Sequence, residues 1–190
     1  EQKKYGPYKG LTKMTVTPEF TLPGGRCMSF DTRVTYVIDN VEFTTNIEDL
    51  YKISQISYTE ISSAKKTLYT KILSEKNGEA VFVNISKIWK SGKKPLIRIT
   101  DDFENFVEVS KDHIMFVGGI EVPASDIVVG DILTIIRDGK VQNSKVVDIE
   151  NIPEKETYDI EIPETENLFA NNIKCHNSRW FRHLFGSGGG

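Results

Sequence analysis

Between Cys27 and Asn177 the chain is a succession of short β-branched and aromatic runs broken by turn residues, and outside those limits the pattern fades. "EKNGEAVFVNI" sets Asn77-Gly78 between two apolar runs, and "DILTIIRDGKVQNSKVVDI" sets Asp138-Gly139 between two strand-like segments. Asn, Asp and Gly tolerate positive φ, so both dipeptides predict tight hairpin turns. "LIRITDDFENFVEVS" predicts a further hairpin, with Asp101-Asp102 close to its turn. Helical signals are few. "TNIEDLYKI" offers Asn46 as an N-cap with Asp49 three residues on, and "TEISSAKKTLYT" predicts a second short helix. The predicted fold class is all-β, with one or two short helices.

The stretch 1–26 is rich in Gly, Pro and Lys and has little periodicity, which suits a flexible lead segment ending at Arg26. The chain opens without Met and closes on "GSGGG", a Gly/Ser linker, so it reads as a segment of a longer protein. At 190 residues, 38% hydrophobic and 27% charged, it suits one soluble domain with tails. Lys and Arg number 24 against 27 Asp and Glu, a net charge of −3, which offers no basic field for nucleic acid or an anionic membrane. No apolar run approaches a membrane span and no secretory signal opens the chain, so a cytoplasmic monomer is expected. Cysteines number two, Cys27 and Cys175, too few for a disulfide scaffold or a zinc site. They invite either a chemical reading or a single long-range bridge.

Chemistry concentrates at the two edges of the patterned region. The side-chain nitrogen of Asn177, in "CHNS", can attack its own backbone carbonyl, close a succinimide and cut the chain after itself. A held geometry is worth up to roughly 7–11 kcal/mol for such an intramolecular attack, and a nearby acid or base typically adds about 10²–10⁴-fold. His176 is placed to polarise the carbonyl or manage the proton. At the other edge, the Cys27 thiol can attack the Arg26 carbonyl and convert a peptide bond to a thioester. That shift is uphill and needs a donor on the amide nitrogen. His113, in "VEVSKDHIMFV", is the remaining imidazole inside the pattern, and Ser178 supplies a hydroxyl just beyond Asn177.

These residues sit in blocks that resemble an intein. "CMSFDTRV" at Cys27–Val34 resembles the family's opening block, and "SKDHIMFV" at Ser110–Val117 its Thr-x-x-His block, with Ser110 in the Thr place. "EVPASDIVVGDIL" at Glu121–Leu133 is similar to the stretch that follows, and "TYDIEIPETENLFANNIKCHNS" at Thr157–Ser178 to the two closing blocks. The resemblance implies a horseshoe-like Hint fold over 27–177, an N-terminal flank (extein) at 1–26 and a C-terminal flank with linker at 178–190. It implies autocatalytic protein splicing, with the chain's own flanks as partners and no cofactor. Cys27 forms a thioester at Arg26, Ser178 takes over the acyl group, and Asn177 cyclises. An acyl shift then joins Arg26 to Ser178. By analogy His113 protonates the Cys27 nitrogen with support from Ser110, and Asp159 is the acid near the junctions. The stretch 35–109 lacks a nuclease-sized insertion, which implies a mini-intein. A natural break into two fragments would fall near Asn77-Gly78 or within Leu50–Lys66.

Three departures from the family pattern stand out. Glu166 replaces a His often credited with helping Asn cyclisation, leaving His176 to carry more of the work or Glu166 to act as base. Asn172 replaces a common Gly, a change that Asn's tolerance of the left-handed conformation allows. Cys175 stands where an apolar residue is usual. It is read either as a small buried side chain or as a partner for Cys27 in a redox switch that silences the first nucleophile. The alternatives are a β binding domain stapled by Cys27–Cys175, a cysteine peptidase built on Cys27, His113 and an Asn, and a self-processing module that cleaves without ligating.

Overall fold

The computed structural model describes residues 26–59 and 70–177. Among these residues thirteen strands and one α-helix follow in order: β1 Met28–Ser29, β2 Arg33–Ile38, β3 Val41–Asn46, α1 Ile47–Thr59, β4 Lys71–Lys76, β5 Glu79–Asn84, β6 Lys87–Asp101 and β7 Phe106–Val109. Then come β8 Ile114–Val117, β9 Ile120–Pro123, a 3-10 turn at Ala124–Asp126, β10 Ile132–Arg137, β11 Lys140–Glu161, β12 Asn167–Ala170 and β13 Ile173–His176. The all-β expectation holds. Asn46 caps α1 as predicted, its Oδ1 accepting from the Asp49 N–H at 2.8 Å. The second predicted helix, in "TEISSAKKTLYT", falls largely on residues 60–69, outside the described residues, as do the two flanks.

Tight two-residue turns set the hairpins. Asn77-Gly78 and Asp138-Gly139 both take positive φ throughout (55° and 84°, 53° and 74°), as their sequences demand. Asp39-Asn40, joining β2 to β3, does the same (52° and 65°), an Asp-Asn turn that sequence reading passed over. The "TDDFEN" loop is wider. There the Asp101 carboxylate accepts from the N–H groups of Phe103 and Asn105, both at 2.9 Å, an Asx-type closure.

The scaffold is a nine-stranded sheet in which β1 pairs with both β7 and β11 while β6 joins those two, so the strands close on themselves. Its spine is the long antiparallel ribbon β6–β11, from Asp101 opposite Val146 to Lys87 opposite Glu161. The ribbon's register slips between Ile152 and Lys155. Pro153 lies in that slip and Pro95 faces it, and neither has an N–H to give to the ladder. A second slip, between Thr157 and Tyr158, faces Gly92 at φ 87°. Such slips bend and twist a ribbon, and this one comes beside Thr157 and Asp159.

A four-stranded sheet, β3-β2-β4-β5, lies alongside. The hairpin β12–β13 is tied to it by two asparagines. Asn167, 4% exposed, accepts from the Glu75 N–H (2.9 Å) and the Ser74 hydroxyl (2.8 Å), and donates to the Glu75 carbonyl (3.0 Å). Asn171 accepts the Arg33 N–H through its side chain and donates its own N–H to the Arg33 carbonyl. Asn171 and Asn172 both take positive φ (49° and 71°), so the left-handed turn does accept Asn in place of Gly. The core beneath runs through Met28, Tyr36, Ile99, Val109, Met115, Leu133, Ile160, Leu168 and Cys175.

Candidate functional site

Strand register draws the two chemical edges together. Strand β1 pairs Met28 with Val109 on one side and with Tyr158 on the other. One step back along both ladders places Cys27 between Ser110 and Asp159. The hydrogen bonds agree: the Cys27 N–H donates to Ser110 Oγ at 3.1 Å, and the Ser110 N–H donates to the Cys27 carbonyl at 3.0 Å. At the other end, β13 pairs Cys175 with Met115 and His176 with Asn167. One step and two steps on, Asn177 falls opposite Glu166 and His113, and its N–H donates to the Glu166 carbonyl at 3.1 Å. Ser110 and His113 close one turn between β7 and β8, the His113 N–H donating to the Ser110 carbonyl at 3.0 Å. One tight turn thus borders both edges.

The Cys27 thiol is fully buried. Burial, then the charge of Asp159, push it up to about 12, while hydrogen bonding from Thr157 and Ser110 works in the opposite direction. Thr157 is a participant that sequence reading did not single out. Its place two residues before Asp159 on the same strand is the signal that could have found it. The Thr157 hydroxyl also donates to the Gly92 carbonyl, which fixes it beside the ribbon's slip.

His113 is fully buried, and neither ring nitrogen meets hydrogen-bond geometry, though the His176 backbone lies against the ring and favours its charged form. Desolvation, then the nearby His176 and Arg26, hold it down to about 3. At neutral pH it is therefore a neutral imidazole. In that state it has to take up a proton before it can hand one on.

Asn177 is 1% exposed, and His176 Nδ1 lies 2.6 Å from its carbonyl oxygen. A carbonyl only accepts, so Nδ1 carries the hydrogen and polarises that carbonyl. The ring stacks on Phe116, centroids 5.9 Å apart, and turns Nε2 towards Glu121 (3.6 Å) and Glu166 (3.7 Å). Phe116 and Glu121, cross-strand partners in β8–β9, were not singled out from sequence. Ser178 lies outside the described residues. Cys175, also fully buried, is pushed up by desolvation, and both cysteines are free thiols, so no Cys27–Cys175 bridge is present. No group of His, Cys, Asp and Glu able to hold a metal occurs among the described residues.

The fold thus returns two distant points of the chain to one turn, a thiol at one and an asparagine at the other. No protein-family model and no curated protein matches the sequence. Solved structures do match the fold. It is similar to the TvoVMA intein (24% identity, 82% of this chain and 100% of that one, TM-score 0.68) and to an intein from a hyperthermophile (21%, 80% and 100%, 0.68). It is also similar to a DnaB intein from Synechocystis sp. PCC 6803 (15%, 82% and 100%, 0.66). The protein has the Hint fold of a mini-intein.

Proposed function

We propose that the chain is a self-processing splicing element of one turnover, excising 27–177 and joining 1–26 to 178–190. The observation that carries this reading is the Ser110–His113 turn, which holds Cys27 through Ser110 at one end and borders Asn177 at the other. In the first step the Cys27 sulfur attacks the Arg26 carbonyl carbon, the C–N bond breaks and a thioester forms. One proton moves from sulfur to the Cys27 nitrogen. Asp159, whose charge faces the buried thiol, favours keeping that proton until attack. Neutral His113 receives it and passes it to the leaving nitrogen, while Ser110 Oγ holds the amide N–H in place.

The Ser178 hydroxyl then displaces the thiol, giving a branched ester. Asn177 Nδ2 attacks its own carbonyl carbon, the bond to the Ser178 nitrogen breaks, and that nitrogen takes a proton. His176 Nδ1–H steadies the oxygen as charge builds on it. The freed Ser178 amine recovers the acyl group as a peptide bond. No step calls for a cofactor, and the partners are the chain's own flanks.

The test is the intact mass of freshly prepared protein, followed over hours with and without reductant. Full-length chain should give way to the excised 27–177 piece and the joined flanks, with equal rates in both conditions because the thiols are free. A requirement for reductant would instead establish the Cys27–Cys175 switch. An unchanged mass in both conditions would sink the splicing reading.

A further inference from the structure

The turn that joins β4 to β5 carries a reactive pair. Asn77-Gly78 is the one Asn-Gly dipeptide in the sequence, and both residues are exposed. Gly has no β-carbon, so its nitrogen can approach the preceding Asn side chain closely. In an open chain the Gly78 nitrogen, once it has given its proton to solvent base, attacks the Asn77 Cγ. The bond from Cγ to the side-chain nitrogen breaks, ammonia leaves with a proton from water, and a succinimide closes. Water then opens that ring at either carbonyl, leaving Asp or, through the β-carboxyl, isoaspartate. Isoaspartate inserts a methylene into the backbone of a two-residue turn closed by Lys76 opposite Glu79.

Here the attacking nitrogen is occupied. The Gly78 N–H donates to Glu75 Oε2 at 2.6 Å, while Glu75 Oε1 meets Lys174 Nζ at 2.8 Å. Both side chains of that ion pair are largely buried, 16% exposed for Glu75 and 14% for Lys174. Burial works against the charge of Glu75, yet Lys174 and the Gly78 N–H outweigh it and hold the carboxyl below its ordinary value. The Glu75 backbone is fixed in turn by Asn167, at both its N–H and its carbonyl. A second turn supplies the contrast. Asp138-Gly139 joins β10 to β11 with φ of 53° and 74°, against 55° and 84° at Asn77-Gly78. The side-chain hydrogen bond that reaches it runs from Gln142 to the Arg137 carbonyl, and among the described residues no side chain accepts the Gly139 N–H.

We propose that Glu75, tethered by Lys174, guards Asn77-Gly78 against deamidation and isoaspartate formation. The carboxylate acts twice. It holds the hydrogen that must leave the Gly78 nitrogen, and its charge opposes negative charge building on that nitrogen. The tether comes from β13, so the guard is complete only while β13 is seated against the β4–β5 hairpin. The inference is independent of the splicing reading, since neither junction takes part in it.

The experiment uses the full chain carrying Cys27→Ala and Asn177→Gln, so that neither junction reacts, held at pH 8 over days. Peptide mapping follows the mass gain of amide turned to acid at Asn77, and enzymatic methylation of isoaspartate reports the rearranged product. Glu75→Ala should speed conversion of Asn77 roughly five- to tenfold. Glu75→Gln keeps an acceptor without its charge, and Lys174→Met frees the tether; both should fall between the Ala variant and the parent. Asn143, exposed on β11, should keep its parental rate in every variant, which separates loss of the guard from a general loosening of the fold. A companion chain carrying Asp138→Asn leaves the guard untouched. There position 138, in a turn of the same shape with no acceptor on its Gly N–H, should convert roughly five- to tenfold faster than Asn77 in the same molecule. Equal rates at the two turns, or a Glu75→Ala chain that converts no faster than its parent, would overturn the proposal.

Discussion

Lowering the pH should unfold this protein through His113 to a degree that can be calculated. The imidazole is buried in the described fold, where desolvation, His176 and Arg26 hold it down to about 3, against 6.5 for the unperturbed group. Folded-state depression means that the unfolded chain takes up a proton first. Stability is therefore unaffected above pH 6.5, falls as pH drops from about 6.5 towards 3, and stops falling from this source below that. At pH 4 the unfolded imidazole is charged and the folded one is not, so the loss is about 3 kcal/mol at 1.36 kcal/mol per pH unit. That is a large fraction of the stability of a small domain.

Urea unfolding at pH 7, 5.5 and 4 reads this directly in a chain whose reactions are blocked by Cys27→Ala and Asn177→Gln. The comparison is with the same chain carrying His113→Leu. The other ionisable groups are common to both proteins, so the difference between the two pH dependences isolates His113. The parent should lose about 3 kcal/mol more between pH 7 and 4 than the Leu variant. Equal losses would refute the argument, and would mean that His113 takes its proton inside the fold.

Further expectations address the two junctions and the scaffold. His176→Leu removes the donor on the Asn177 carbonyl, and C-terminal cleavage should slow roughly 10²–10³-fold in intact-mass assays while thiolysis at Cys27 persists. Ser110→Ala strips the acceptor from the buried Cys27 N–H at a cost of about 1–3 kcal/mol, so thiolysis at Cys27 should slow by about tenfold or more. Because burial and Asp159 push the Cys27 thiol up to about 12, its alkylation by iodoacetamide should keep rising with pH through pH 10. A plateau near pH 9 would contradict that environment. Asn167→Leu leaves the backbone groups of Glu75 without their partner and should lower urea stability by roughly 2–4 kcal/mol.

Local chemistry carried most of what could be read in advance. Asn77-Gly78 and Asp138-Gly139 turn where they must, because two consecutive residues there need positive φ and the sequence provides types that take it. Asn46 caps α1 for an equally local reason. Cys27, His113, His176 and Asn177 stood out as candidates because their side chains have chemistry that few positions need. Asp39-Asn40 escaped because neither residue is Gly, and Asn167 escaped because a polar side chain gives no sign in one dimension that it will replace a strand in another sheet. Glu121 and Phe116 escaped for a related reason: each looks like an ordinary strand residue until β9 folds back on β8 and β13 arrives beside them.

What no local pattern conveys is the relation between the two edges. Cys27 and Asn177 are separated by nearly the whole of the described residues, and nothing in "SKDH" says that its first residue will hold one and its last will border the other. That relation depends on two registers at once. Strand β7 must pair Val109 with Met28, and β8 must pair Met115 with Cys175. A slip of one residue in either ladder turns every side chain of that strand to the opposite face and carries the junction away from the turn. The apolar faces of Val109, Met28, Met115 and Cys175, all fully buried, forbid such a slip. On this account Cys175 is retained as packing that sets the register of Asn177. Cys175→Asp should then abolish C-terminal cleavage by unseating β13, whereas Cys175→Val should preserve it; cleavage surviving the Asp substitution would break the link between register and reaction.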